Sequence, residues 1–161
     1  MYKLLLLTFF SFHLLAQSAK EQAILGVYYA PEKDAKIEIY QKGESYFGKF
    51  TWLEIGDKDI NNPDPKLRDR ELLGMTFIKN FRYNDDEYIG GKIYDPKSGE
   101  TYDAEMWLEG TDLKLRGFVG FSMFGRTETF ERVQSWFFLW AEKITIHLGG
   151  FSQSCKTTLK A

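Results

Sequence analysis

Tyr102-Asp103-Ala104-Glu105-Met106-Trp107-Leu108 is followed by Glu109-Gly110-Thr111-Asp112 and then by Leu113-Lys114-Leu115-Arg116-Gly117-Phe118. In the first run Tyr102, Ala104, Met106 and Leu108 alternate with Asp103, Glu105 and Trp107. In the last, Leu113, Leu115 and Gly117 alternate with Lys114, Arg116 and Phe118. A period of two sends alternate side chains to opposite sides of a strand. The four residues between the runs carry Gly and Asp, which is turn chemistry, so the stretch reads as a β-hairpin. One polar and one apolar face is what an antiparallel sheet with a single solvated side requires.

The same pattern continues outward in both directions. Ile37 and Ile39 alternate with Lys36, Glu38 and Tyr40; Tyr46, Gly48, Phe50 and Trp52 alternate with Phe47, Lys49 and Thr51; Met75, Phe77, Lys79 and Phe81 alternate with Thr76, Ile78 and Asn80. Gln41-Lys42-Gly43-Glu44, Asn84-Asp85-Asp86 and Asp95-Pro96-Lys97-Ser98-Gly99 punctuate the runs. Eight strands follow, over 24–30, 35–41, 44–54, 74–83, 86–94, 100–109, 112–121 and 126–133, with no helical stretch before residue 134. Short connections make sequential strands antiparallel neighbours, because parallel ones need a longer crossover. The expected fold is all-β, an antiparallel up-and-down eight-stranded barrel, since closure removes exposed strand edges. A two-sheet sandwich is the alternative. Gly48, Gly90, Gly91, Gly117 and Gly120 would weaken a flat sheet but suit the bends and close approaches of a small barrel.

The composition agrees with a packed domain and narrows its function. The chain has 161 residues, 17% of them aromatic, and a net charge of -2. That is length for one domain, with too many aromatics for a disordered chain and no basic surplus for a nucleic-acid partner. The amino terminus reads as an address. Met1-Tyr2-Lys3 precedes an apolar run from Leu4 to Leu15, and Ala16-Gln17-Ser18-Ala19 offers small residues for cleavage after Ala16 or Ser18. This is the layout of a secretory signal peptide, with a run too short to span a bilayer. Residues 1–18 are therefore read as a signal peptide, 19–133 as the barrel and 134–161 as an atypical aromatic tail. Loss of Lys3 leaves 20 basic against 23 acidic residues, a net charge of -3. The protein is expected to be exported, periplasmic or extracellular. Cys155 is a lone cysteine, so the domain must be held by its core without an internal disulfide.

One connection is long. Residues 55–73 include Asn62-Pro63-Asp64-Pro65, a rigid turn, and Asp64-Pro65-Lys66-Leu67 predicts a single helical turn capped by Asp64. Three readings of this loop stand. It is a self-paired charged lid anchored by Leu72, Leu73 and Met75; or a surface on which Arg68 and Arg70 fork around a carboxylate or phosphate; or a calcium loop begun by Asp57, Asp59 and Asn61. The last lacks the Gly and Glu an EF-hand needs, having Asn62 and Arg68 there. The candidate ligand-binding residues are Arg68, Arg70, Asn62, Asp64, Tyr46 and Trp52.

The inventory excludes much chemistry. Between residue 19 and residue 133 there is no His and no Cys. No Ser-His-Asp or Cys-His mechanism and no His/Cys zinc site can be assembled there, and no phosphate-binding glycine loop opens a helix. No metal or cofactor is expected. Paired carboxylates, from Asp95, Glu100, Asp103 and Glu105, are what an enzyme would have to use.

Three segments carry a family resemblance: Asp59-Ile60-Asn61-Asn62-Pro63-Asp64-Pro65-Lys66-Leu67-Arg68-Asp69-Arg70-Glu71-Leu72-Leu73-Gly74; Gly91-Lys92-Ile93-Tyr94-Asp95-Pro96-Lys97-Ser98-Gly99-Glu100-Thr101-Tyr102; and Leu115-Arg116-Gly117-Phe118-Val119-Gly120 with Phe124-Gly125-Arg126-Thr127-Glu128-Thr129-Phe130-Glu131-Arg132. Over about residues 24–133 the chain resembles the secreted bacterial family called domain of unknown function 2147. The resemblance implies export and a lipocalin-like barrel, and carries no catalytic residue. The family's closing aromatic-x-Arg pattern usually begins with Trp; here it begins with Phe130. Lipocalin-like barrels often set an Arg from the last strand over the Trp of a first-strand Gly-x-Trp. The resemblance implies that Gly26, Tyr28 and Arg132 take those structural positions, with Tyr replacing Trp, and a cation–π contact between Tyr28 and Arg132 is expected if the barrel closes.

The tail is different in character. Trp136-Phe137-Phe138-Leu139-Trp140 is densely apolar, and Glu142, Lys143 and His147 interrupt any membrane span. The functional expectation is a non-enzymatic barrel that takes a small apolar or amphipathic ligand at its mouth. The alternative is an envelope protein-interaction module using the 55–73 loop, and an enzyme comes third.

Overall fold

Alternation becomes a closed sheet in the computed structural model, which describes residues 19–56 and 58–134. The strands are β1 (Gly26–Tyr29), β2 (Ala35–Lys42), β3 (Ser45–Leu53), β4 (Thr76–Asn84), β5 (Glu87–Asp95), β6 (Glu100–Glu109), β7 (Asp112–Phe118) and β8 (Arg126–Arg132). Each pairs antiparallel with the next, and β8 returns to β1, closing an eight-stranded up-and-down barrel. The sandwich alternative is thereby excluded. The signal-peptide segment, Asp57, Cys155 and the tail from 135 onward lie outside the described residues.

The hairpin quoted first shows how pattern sets register. Ala104 pairs with Gly117, Met106 with Leu115 and Leu108 with Leu113, all on the inner face. Glu105 pairs with Arg116 and Trp107 with Lys114 on the outer wall. A register slip of one residue would exchange these sets and put the charges inside. Tyr28, Ile37, Ile39, Tyr46, Ile78, Phe81, Met106 and Leu113 are all essentially inaccessible to solvent, so much of the lumen is filled by the chain's own side chains. Gly91 makes one close approach workable: a Cβ there would fall on the Phe81 ring. The glycine lets that ring lie flat against the β5 backbone.

Most strand boundaries fall within one residue of the sequence reading and three differ by more, among them the start of β4 at Thr76 rather than 74, where Met75 N–H still closes the loop onto the Leu72 carbonyl. Residues 19–22 form one helical turn before β1, which starts at Gly26 rather than 24. Ala19-Lys20-Glu21-Gln22 are good helix formers, and the turn is bonded through Ala23 N–H to the Lys20 carbonyl. β7 ends at Phe118 instead of 121, because 119–125 leave the sheet and form a 3₁₀ turn over Ser122–Phe124.

Strand direction divides the connections between two ends. The N-terminal turn and the tight connections β2–β3, β4–β5 and β6–β7 lie at one end. The connections β1–β2 (30–34), β3–β4 (54–75), β5–β6 (96–99) and β7–β8 (119–125) lie at the other.

Candidate functional site

The first end is shut by three tyrosines and an arginine. Tyr46 and Tyr88, edge to face at 4.8 Å, both donate to the Glu21 carbonyl, at 2.9 and 2.8 Å. Tyr28 donates to the Ile24 carbonyl at 2.7 Å and accepts from Arg132. Arg132 also donates to the carbonyls of Leu25, Ala23 and Thr111, and its guanidinium lies 4.6 Å over the Tyr28 ring. A Cβ on Gly26 would meet that guanidinium at 2.6 Å, and φ there is 146°, so glycine is required on both counts. Burial raises the Tyr28 phenol to about 12, against the opposing charge of Arg132. Burial likewise raises the Tyr46 and Tyr88 phenols. These hydroxyls are structural donors that satisfy the Ile24 and Glu21 carbonyls of the N-terminal segment. Tyr46, a candidate ligand contact by its sequence, is placed buried at this closed end, donating to the Glu21 carbonyl.

At the other end the long loop is held by a buried carboxylate. Asp59 is fully buried. It accepts from Tyr94 at 2.6 Å, Asn62 at 2.7 Å and Arg70 at 2.5 Å. Burial alone would raise its pKa; the bonds from Tyr94, Asn62 and Arg70, with the arginine charge, outweigh that and hold it below the usual carboxylate range. Arg68 donates to the Asn62 carbonyl at 2.9 Å. Asp64 caps the 3₁₀ turn Pro65–Leu67 by accepting from Lys66 N–H, as the Asp-Pro pair predicts. Lys58 and Glu71 form a bridge that makes the loop a small hairpin. Among the loop candidates, then, Arg68, Arg70, Asn62 and Asp64 are brought together, but each is engaged within the loop. Of the calcium reading, Asp59 faces an arginine, and among the described residues no group of three His, Cys, Asp or Glu side chains could hold a metal. Trp52 sits on the outer wall opposite Lys36, whose ammonium lies 5.5 Å from its ring, and not in the lumen.

The loop also roofs part of the mouth. Glu54 N–H donates to the Asp34 carbonyl, and Asn61 donates to the carbonyls of Pro96 and Lys97. Lys97 pairs with Glu32 at 3.1 Å. The β1–β2 and β5–β6 connections belong to opposite walls of an eight-stranded barrel, so this pair spans the mouth. What is left open lies between that span and the 119–125 loop. Register identifies its lining. Leu113 pairs with Phe130, Leu115 with Glu128 and Gly117 with Arg126, so Glu128 and Arg126 share the inner face with the core leucines. Glu128 accepts from Arg126 Nε at 2.6 Å. Ile93 and Tyr102 flank Gly117 from the same face.

These residues went unread in the sequence, although two signals existed. Counting by two from Phe130 places Glu128 and Arg126 inside. The uncharged stretch Val119–Gly125 breaks the alternation of β7. Of the four carboxylates available to an enzyme, Asp95 and Glu100 stand opposite each other at the β5–β6 turn, where Asp95 accepts from Ser98 and Glu100 from Tyr102, while Asp103 pairs with Lys92 and Glu105 faces Arg116. Asp86, like Asp59, is held below its ordinary range, by Tyr83 and Lys20, which is opposite to what a general acid needs.

An up-and-down eight-stranded barrel with one end sealed by its N-terminal turn and an arginine clasp is a lipocalin-like barrel. The chain belongs to the bacterial family described as "Uncharacterized protein conserved in bacteria (DUF2147)", whose model matches residues 26–132. Protein HP1028 from the human pathogen Helicobacter pylori, reported to belong to the lipocalin family, is similar in structure, with a TM-score of 0.64 at 24% identity. The match covers 70% of this chain and 84% of that one. No curated protein matches the chain. Among the described residues no helix is long and apolar enough to cross a membrane.

Proposed function

We propose that this is an exported, non-enzymatic barrel that binds a small amphipathic molecule at its open end. The observation that carries the reading is the asymmetry of the two ends. One is sealed by Tyr28, Tyr46, Tyr88 and Arg132. The other keeps an ion pair, Arg126–Glu128, on the inner face within an apolar rim that includes Ile55, Ile60, Leu73, Phe121 and Phe124. Below that pair the lumen is filled, so the ligand is held shallowly, its polar group at Arg126 and Glu128 and its apolar part against the rim. Export rests on the character of residues 1–18. The test is the native mass of protein purified gently from its own envelope. A reproducible added mass, lost on denaturation, is expected; a bare mass in every preparation would overturn the reading.

A second reading, a protein contact through the 54–75 loop, draws on Ile55, Ile60 and Leu73, which stand exposed on a loop made rigid by Asp59. Co-purification of a stoichiometric protein, lost on changing Ile60 to Ser, would favour it.

A further inference from the structure

The most exposed apolar side chains of the described structure stand on one loop. Val119, Phe121, Met123 and Phe124 are 80, 73, 77 and 80% accessible, within seven residues that carry no charge. Leaving that much apolar surface in water is unfavourable, and a patch of this kind marks an interaction site. Three features say what it meets. First, the tip bonds itself: Phe121 N–H donates to Val119, Phe124 to Phe121 and Gly125 to Ser122. The amides of both phenylalanines therefore carry their own partners into an apolar medium, where an unpaired donor is costly. Second, the base of the tip is collared by arginine. Arg116 lies along Gly125, with its guanidinium over Trp107, 3.7 Å from Glu105 and donating to Thr127, and Arg126, which meets Glu128 through Nε, has its side chain 87% exposed. Apolar tip and basic collar match the acyl and phosphate layers of a bilayer in that order. Third, the β3–β4 loop, on the opposite side of the mouth by strand order, exposes Ile55, Ile60 and Leu73. Two apolar lips at one end of a barrel suit a broad surface better than a single groove.

We infer that the 119–125 loop docks the open end of the barrel onto a phospholipid membrane surface, with Phe121 and Phe124 entering the acyl boundary and Arg116 and Arg126 at the phosphates. The inference goes beyond ligand binding; it shares Phe121, Phe124 and Arg126 with that reading but requires no bound ligand. The test uses the full exported chain and vesicles of phosphatidylethanolamine and phosphatidylglycerol. The protein is expected to float with the vesicles. The double variant Phe121→Ser, Phe124→Ser should bind about tenfold less or weaker still, since two apolar rings no longer leave water, with an unchanged circular dichroism spectrum because both side chains are exposed. A Phe124→Trp variant should gain fluorescence quenching from bromine-labelled acyl chains beyond that of the parent protein. Arg126→Gln should weaken binding to phosphatidylglycerol vesicles more than to phosphatidylcholine vesicles. Three results would overturn the inference: no flotation; flotation unaffected by the double variant, which places the contact on another segment; or a dimer in solution that the double variant disperses, which makes the patch a contact between copies. Flotation of a parent protein whose native mass is bare would leave docking standing and overturn ligand binding, which distinguishes the two readings.

Discussion

Asp59 shows how one side chain organises a loop of more than twenty residues. Its carboxylate is buried and reached by three donors, so the charge is stabilised where an unpartnered one would not be. Its folded pKa lies below the ordinary value of 3.8. A depressed carboxyl contributes stability in full above its unfolded pKa and loses it as pH falls through the folded value. Asp59→Asn should therefore be less stable at neutral pH, by about 2–4 kcal/mol from the broken buried pair, and its urea midpoint should change less between about pH 5 and pH 2. Urea titrations across that range check it; parallel curves for the two proteins would remove Asp59 from this role. Arg132 is the counterpart at the closed end. Its fork reaches three backbone carbonyls and the Tyr28 hydroxyl. Lys carries the charge without the fork, so Arg132→Lys should cost about 1–3 kcal/mol in urea unfolding. Equal stability would show that charge alone suffices.

At the scale of elements, the barrel closes through its shortest strand. β1 and β8 share only the pairs Tyr28 with Arg132 and Tyr29 with Glu131, supplemented by Val133 N–H donating to Val27. The arginine clasp and the N-terminal turn fasten this seam. β5 is fitted to β4 by the absence of a side chain at Gly91, so Gly91→Ala should destabilise by about 1–3 kcal/mol through displacement of Phe81. A shift in thermal midpoint of several degrees is expected, and an unchanged midpoint would show that the ring can move aside. The strands were legible in the sequence because one face of each is buried, and alternation records that directly. The ends were less so. The 19–22 turn is too short to show a helical period. Tyr46 obeys the inner-face pattern equally whether it meets a ligand or the Glu21 carbonyl. The Arg68 and Arg70 forks could be listed from residue type, but that Asn62 and Asp59 already occupy them depends on a loop closing on itself. Glu128 was hidden because a single carboxylate on an inner phase reads as noise in a strand of alternating charge and Thr.

At the scale of the whole molecule the barrel has a direction: one end is sealed by Tyr28, Tyr46, Tyr88 and Arg132 and the other is not. The Lys97–Glu32 span and the roof made by 54–75 confine access to the side bounded by 119–125. The fold alone is shared with proteins of many functions; what is particular to this chain is the asymmetry and the residues that create it. The most direct test is amide hydrogen exchange on the protein as purified from its envelope, compared with the same protein after organic extraction and refolding. The account predicts that extraction speeds exchange in 96–99, 119–125 and the adjoining half of β8, and leaves 19–25, 85–86 and 110–111 unchanged. Changes centred on the tyrosine-sealed end, or identical exchange throughout, would contradict it.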